Sequence, residues 1–177
     1  MLDTGKLQLK AQAEREIVIT RDFDAPRRLV YEAFTKPELL KRWLGVFGDW
    51  ELAVCDIDLK VGGSYRWVWR QKSGGNQMAV GGVYREIVPP ERIVNTELFD
   101  DPWYPGEALL TTTFTEQNGR TTMTLTILYA SQEARDGVLK SPMESGIAAS
   151  YNNLAELFRR TDLSAHKAEY QVMIALD

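Results

Sequence analysis

The chain has 177 residues, 44% of them hydrophobic and 26% charged, with a formal net charge of −4. That is the size of one ordinary domain, and its acidic and basic residues are interspersed without a basic cluster, which argues against a nucleic-acid partner. A single cysteine, Cys55, excludes an intrachain disulfide, and with a single histidine, His166, it leaves too few ligands for a tetrahedral zinc site; His166 lies in the C-terminal tail, so a histidine-activated nucleophile requires that tail to fold back.

The N-terminal stretch MLDTGKLQLKAQAERE is charged throughout and lacks the apolar core of a signal peptide, and no segment approaches the ~20 apolar residues of a membrane span. A cytoplasmic protein without metal or other cofactor is therefore expected. The first patterned segment runs from Ile17 to Phe23, with Ile17, Ile19 and Phe23 on one face of a strand. Pro26 stops it and suits the first turn of a helix carrying Leu29, Val30, Ala33 and Phe34. Thr35 and Glu38 have capping-box spacing for a second short helix through Leu39, Leu40, Trp43 and Leu44, which Gly45 ends.

From Trp50 the period shortens to two. Alternating runs span Trp50–Leu59, Ser64–Arg70, Met78–Val88, Arg92–Phe99, Ala108–Glu116 and Arg120–Tyr129, divided by Gly62-Gly63, Ser73-Gly74-Gly75-Asn76, Pro89-Pro90, Asp101-Pro102 and Asn118-Gly119. Strands joined this closely make an antiparallel meander. A short helix over Gln132–Leu139 follows, and then a long one that Ser141, Pro142 and Glu144 cap, with Ile147, Tyr151, Leu154, Leu157 and Phe158 down one side. Residues 1–15 read as an N-terminal extension, 16–160 as a single domain, and 161–177 as a tail able to dock on a partner subunit in a homodimer.

The blocks RDFDAP with TKPELLKRW, LKVGGSYRW, GGVYREIVPPERIVNTE, YPGEALLTTTFTE with GRTTMTLTILYAS, and MESGIAASYNNLAELF resemble, in that order, the activator of heat-shock-protein-90 ATPase homologue-like family. That family lies within the START-like, birch-pollen-allergen-like (SRPBCC) superfamily. The resemblance implies an α+β helix-grip fold, in which a curved antiparallel sheet of about seven strands wraps around a long C-terminal helix, with two short helices after the first strand. It also implies a pocket between sheet and helix that takes lipids, sterols, polyketides or other apolar molecules.

Several residues qualify to line such a pocket. Alternation puts Tyr65, Trp67 and Trp69 on one strand face, where flat rings offer either core packing or contact to an aromatic ligand. Trp43 and Trp50 flank the Gly45–Gly48 turn and are expected near the pocket entrance. In Arg92–Phe99 the face with Ile93, Asn95, Glu97 and Phe99 opposes one with Val94, Thr96 and Leu98, and alternation leaves open which lines the cavity. A buried Glu97 needs a partner or a raised pKa, with Tyr84, Glu86 and Arg66 as its expected neighbours. On the last helix Met143, Gly146, Ile147, Ser150 and Tyr151 share the inward side, and a glycine in a helix interior suggests either a need for space or a close approach to the sheet. Asp56, Asp58, Asp100 and Asp101 read as solvated carboxylates, and Thr111–Thr113, Thr121, Thr122, Thr124 and Thr126 as residues of exposed strand faces.

The leading expectation is a module that binds an apolar or aromatic small molecule. A cyclase- or hydrolase-like enzyme with Glu97 as base and Tyr84 or Tyr151 as proton partner is the alternative. A co-chaperone that stimulates a heat-shock chaperone ATPase, a stress-response role, is the third reading.

Overall fold

The computed structural model describes residues 6–160, so the tail and His166 lie outside the described residues. Strand β1 (Gln8–Gln12) turns back into β2 (Glu16–Phe23) and pairs with it from Gln8 opposite Thr20 to Gln12 opposite Glu16. It makes an eighth strand where seven are expected. Its own residues carry no readable pattern, because apart from the half-buried Leu9 every side chain of QLKAQ is exposed at the sheet edge.

Helix α1 (Arg27–Thr35) starts one residue later than proline at the first helical position would require. Pro26 itself holds extended backbone, φ −61° and ψ 148°, and its carbonyl accepts from Leu29 and Val30 amides. The expected Thr35–Glu38 capping box does not form. Thr35 belongs to the last turn of α1, and its hydroxyl donates back to the Tyr31 carbonyl at 2.9 Å. Lys36 precedes α2 (Pro37–Trp43) without a side-chain cap, and Pro37 supplies the preset φ that a first helical residue needs.

The meander follows as β3 (Trp50–Ile57), β4 (Ser64–Gln71), β5 (Gln77–Val88), β6 (Arg92–Phe99), β7 (Ala108–Gln117) and β8 (Arg120–Leu128). The helical detour returns β2 to the far end of this meander, where it pairs with β8 from Glu16 opposite Leu128 to Phe23 opposite Thr121. One antiparallel sheet results, in the order β1-β2-β8-β7-β6-β5-β4-β3. Register shifts at Leu52/Val54 and Tyr84/Glu86 mark bulges, which bend strands and raise local twist.

Helix α3 (Gln132–Leu139) is capped by the Ser131 hydroxyl, which accepts from the Ala134 amide at 3.1 Å. Its buried Arg135 donates to the carbonyls of Ala13 and Glu16, fastening the helix to the β1–β2 turn. Helix α4 (Met143–Arg160) lies in the concavity of the sheet. Its C-terminal half packs densely: Leu154 is fully buried, and the Phe23 ring meets Tyr151 and Phe158 edge-on at 6.0 and 5.9 Å. Arg21, on the core face of β2, is also buried and donates to Asn152 Oδ1 at 2.8 Å.

Two threonines depart from the exposed role expected of them. Thr121 is fully buried and donates to the Ala25 carbonyl at 2.7 Å, holding the strand-to-helix corner, and Thr112 is buried on the concave face. No helix among the described residues is long and apolar enough to cross a membrane.

Candidate functional site

The N-terminal half of α4 does not close on the sheet. Between them lies a cavity of about 450 Å³. Strand β4 contributes Tyr65, Trp67 and Trp69, and β6 contributes Ile93, Asn95, Glu97 and Phe99, which resolves the two faces that alternation left open. Tyr84 of β5, Trp50 of β3, and Leu125 and Ile127 of β8 extend the wall, and α4 closes it with Met143, Gly146, Ile147, Ser150 and Tyr151. All five tryptophans of the chain face this one space.

Gly146 decides between its two readings. A Cβ built there meets no atom within 4 Å, so the glycine fronts open space rather than a close helix–sheet contact. Gly45 does the opposite. It holds φ +67°, a Cβ on it would collide with the Trp69 indole, and its amide donates to Ser150 Oγ at 2.9 Å while Trp69 Nε1 donates to the neighbouring Leu44 carbonyl at 3.0 Å. A residue without a side chain is required to lock the α2–β3 turn between β4 and α4.

Trp43 lines the cavity but not its entrance. Only 1% of it is exposed, and its Nε1 donates to the Ala33 carbonyl at 2.9 Å, deep under α1. The rim is instead built by Phe47, Met78 and Trp103, which are 42%, 45% and 43% exposed, together with Met143 at the start of α4. Met78, Trp103 and Met143 also border an outer groove of about 610 Å³ flanked by Asp100, Asp101 and Pro142, so the cavity opens toward that side.

Among the described residues Glu97 is the single acidic or basic side chain on the cavity wall. Its Oε1 accepts from the Tyr104 hydroxyl at 2.9 Å. Burial pushes the carboxyl up to about 6, and the hydrogen bond from Tyr104 offsets part of that rise. None of the three expected partners reaches it. Arg66 forms a bidentate pair with Asp100 on the outer face, Glu86 pairs with Arg92 at 3.2 Å, and Tyr84 lies across from Asn95. The Asp100–Arg66 pair is nevertheless solvent-exposed, as expected of that carboxylate, and Asp58 sits beside Lys60 at 3.5 Å.

Among the other polar groups of the wall Tyr65 and Asn95 bond each other, whereas the buried Trp67 Nε1 makes no hydrogen bond among the described residues. Tyr65 donates to the Thr96 carbonyl at 2.6 Å, and Asn95 Nδ2 donates to Tyr65 Oη at 3.1 Å. Burial raises the tyrosines at positions 65, 84, 104, 129 and 151 above the ordinary phenol range, so all stay neutral. Tyr104 and Tyr129 were not legible as cavity residues, since the first sits in the turn-rich Asp101-Pro102-Trp103-Tyr104-Pro105 loop and the second just beyond β8. Their rings meet edge-on at 5.2 Å. Among the described residues no group of three or more histidine, cysteine or acidic side chains is placed to hold a metal.

Residues 24–159 match the family described as Activator of Hsp90 ATPase homolog 1-like protein. The chain is similar over 88% of its length, at 28% identity and a TM-score of 0.82, to a crystal structure of a Rhodobacter sphaeroides protein, of which 99% is covered. A Chromobacterium violaceum protein is 29% identical with a TM-score of 0.66, over 82% of this chain and 97% of that one. An HSP90 activator from Plasmodium falciparum shares the fold at 24% identity and a TM-score of 0.59, over 81% and 96% of the two chains. No curated protein matches the chain. The chain belongs to the Activator of Hsp90 ATPase homolog 1-like family, and its sheet and C-terminal helix are the helix-grip fold of that family.

Proposed function

We propose that this family member binds an apolar or aromatic small molecule in the cavity between the sheet and α4. The observation that carries the reading is the convergence of all five tryptophans on one open space in an otherwise close-packed interior. Protein interiors pack like organic crystals, and a wall without partner atoms forfeits dispersion contacts that a bound molecule restores. The volume of about 450 Å³ falls within the range of roughly 300–1,000 Å³ typical of small-molecule pockets. Native mass spectrometry after gentle purification, with a thermal-shift screen of fatty acids, sterols and polyphenols, tests it. A retained mass or a raised melting temperature is expected, and no shift from any class contradicts the reading.

A second reading, acid–base chemistry on the bound molecule, is favoured by the Glu97 carboxyl at about 6, because a base near the working pH transfers protons efficiently. Its hydroxyl partner is Tyr104 rather than Tyr84. Conversion of a bound compound, lost in Glu97→Gln while binding persists, supports that chemistry. Stimulation of an Hsp90 ATPase by the isolated chain supports instead the co-chaperone activity in the family's description.

A further inference from the structure

The cavity combines two features that seldom serve the same ligand. Its wall is dominated by aromatic rings, and among the described residues the only ionisable acid or base on it is one carboxyl. A neutral lipid or sterol uses the rings but brings no counter-charge to the carboxylate, whose described partner is the neutral Tyr104 hydroxyl. A fatty acid brings a second negative charge to the first. A protonated amine satisfies both, because ammonium groups are attracted to the negative faces of tryptophan and tyrosine and to a carboxylate at once.

We propose that the ligand is an aromatic or alkyl amine whose protonated nitrogen sits against Glu97 while its apolar body lies among the tryptophans. This deepens the small-molecule reading and rests on it. Tyr104 holds Oε1 from the β6–β7 loop, at 2.9 Å, and so fixes the carboxylate at the cavity surface. Among the described residues no lysine, arginine or histidine lines the cavity and Glu97 forms no ion pair, which leaves the place of its counter-charge to a ligand. The ionisable groups facing Glu97 from other elements are Tyr65 of β4, Tyr129 beyond β8 and Tyr151 of α4. All are neutral phenols. Arg21 of β2 acts on Tyr151 from outside the cavity and is engaged with Asn152.

Burial that raises the carboxyl to about 6 makes this recognition depend on pH: Glu97 is ionised and ready for a cation at pH 8 and mostly protonated at pH 5. Three probes of one shape separate the possibilities, namely naphthylethylamine, naphthylethanol and naphthylacetate, titrated calorimetrically against the full chain. At pH 8 the amine should bind about tenfold tighter than the alcohol, with the acetate weakest. Glu97→Gln should erase the amine's advantage while the alcohol still binds, and lowering the pH to 5 should do the same in the unaltered protein, so the test survives a variant that misfolds. Equal binding of amine and alcohol at pH 8, or an advantage that persists in Glu97→Gln, overturns this inference alone. Failure of all three probes to bind overturns this inference, and the small-molecule reading beneath it falls as well only when the screen of fatty acids, sterols and polyphenols is also silent.

Discussion

The two halves of helix α4 face the same sheet and end differently. Around Leu154, Ala155 and Phe158 the interior is closed, with Phe23, Ile17, Ile19 and Met123 fully buried opposite. Two helical turns earlier, around Gly146 and Ile147, the sheet stands away and leaves open space. The same helix therefore anchors the fold at one end and roofs a cavity at the other. What changes between the halves is the facing side chain: Phe23 and Phe158 interlock, whereas Gly146 offers nothing to the aromatic wall opposite.

That contrast is broken most forcefully in the closed half. Leu154→Ala and Phe158→Ala each delete fully packed volume and should cost about 2–5 kcal/mol in urea unfolding. Ile147→Ala, bordering space already open, should cost only about 1 kcal/mol. Comparable losses at the two ends would mean that the cavity half is packed as well.

Glu97 gives the next largest effect. Its carboxyl lies at about 6 in the folded protein, above the usual 4.5, so the folded state binds the proton more tightly than the unfolded one. Stability is therefore highest below about pH 4.5 with respect to this group and falls as pH rises through about 6, by roughly 2 kcal/mol in total. Glu97→Gln should remove that slope, raising the melting temperature at pH 8 relative to the unaltered protein and leaving it little changed near pH 4. Parallel pH profiles in the two proteins would place the carboxyl in solvent.

The smallest effect is a gain. Gly146→Ala adds a methyl group to open space and removes backbone freedom from the unfolded chain, and should stabilise α4 by about 0.5–1 kcal/mol in thermal unfolding. A loss there would show that the helix needs the glycine for close approach after all.

Most of the architecture is legible in the sequence because periodicity and punctuation agree. The boundaries of β6 and α3 coincide with the expected ones, and the six strands after the helices end within two residues of where turns and prolines divide them. Strand β1 is not legible, since an edge strand with one inward residue shows no alternation. The site is legible on β4, where three aromatics share a face, and undecidable on β6, where both faces mix apolar and polar residues. Tyr104 could not be foreseen. A loop residue reaches Glu97 through tertiary packing, and no local period records that contact. The expected rim at Trp43 failed for a related reason, because the α1–α2 pair buries that indole and leaves the entrance to Phe47, Met78 and Trp103.

The cavity itself is tested most directly by Gly146→Phe, which places a ring in the space that the glycine leaves open. The measurement is the ligand-induced rise in melting temperature, compared between this variant and the unaltered chain for whichever compound gives the largest shift. If the cavity is the binding site, the variant should fold at an equal or higher temperature without ligand and lose the shift. An undiminished shift in a folded variant would contradict binding between the sheet and α4.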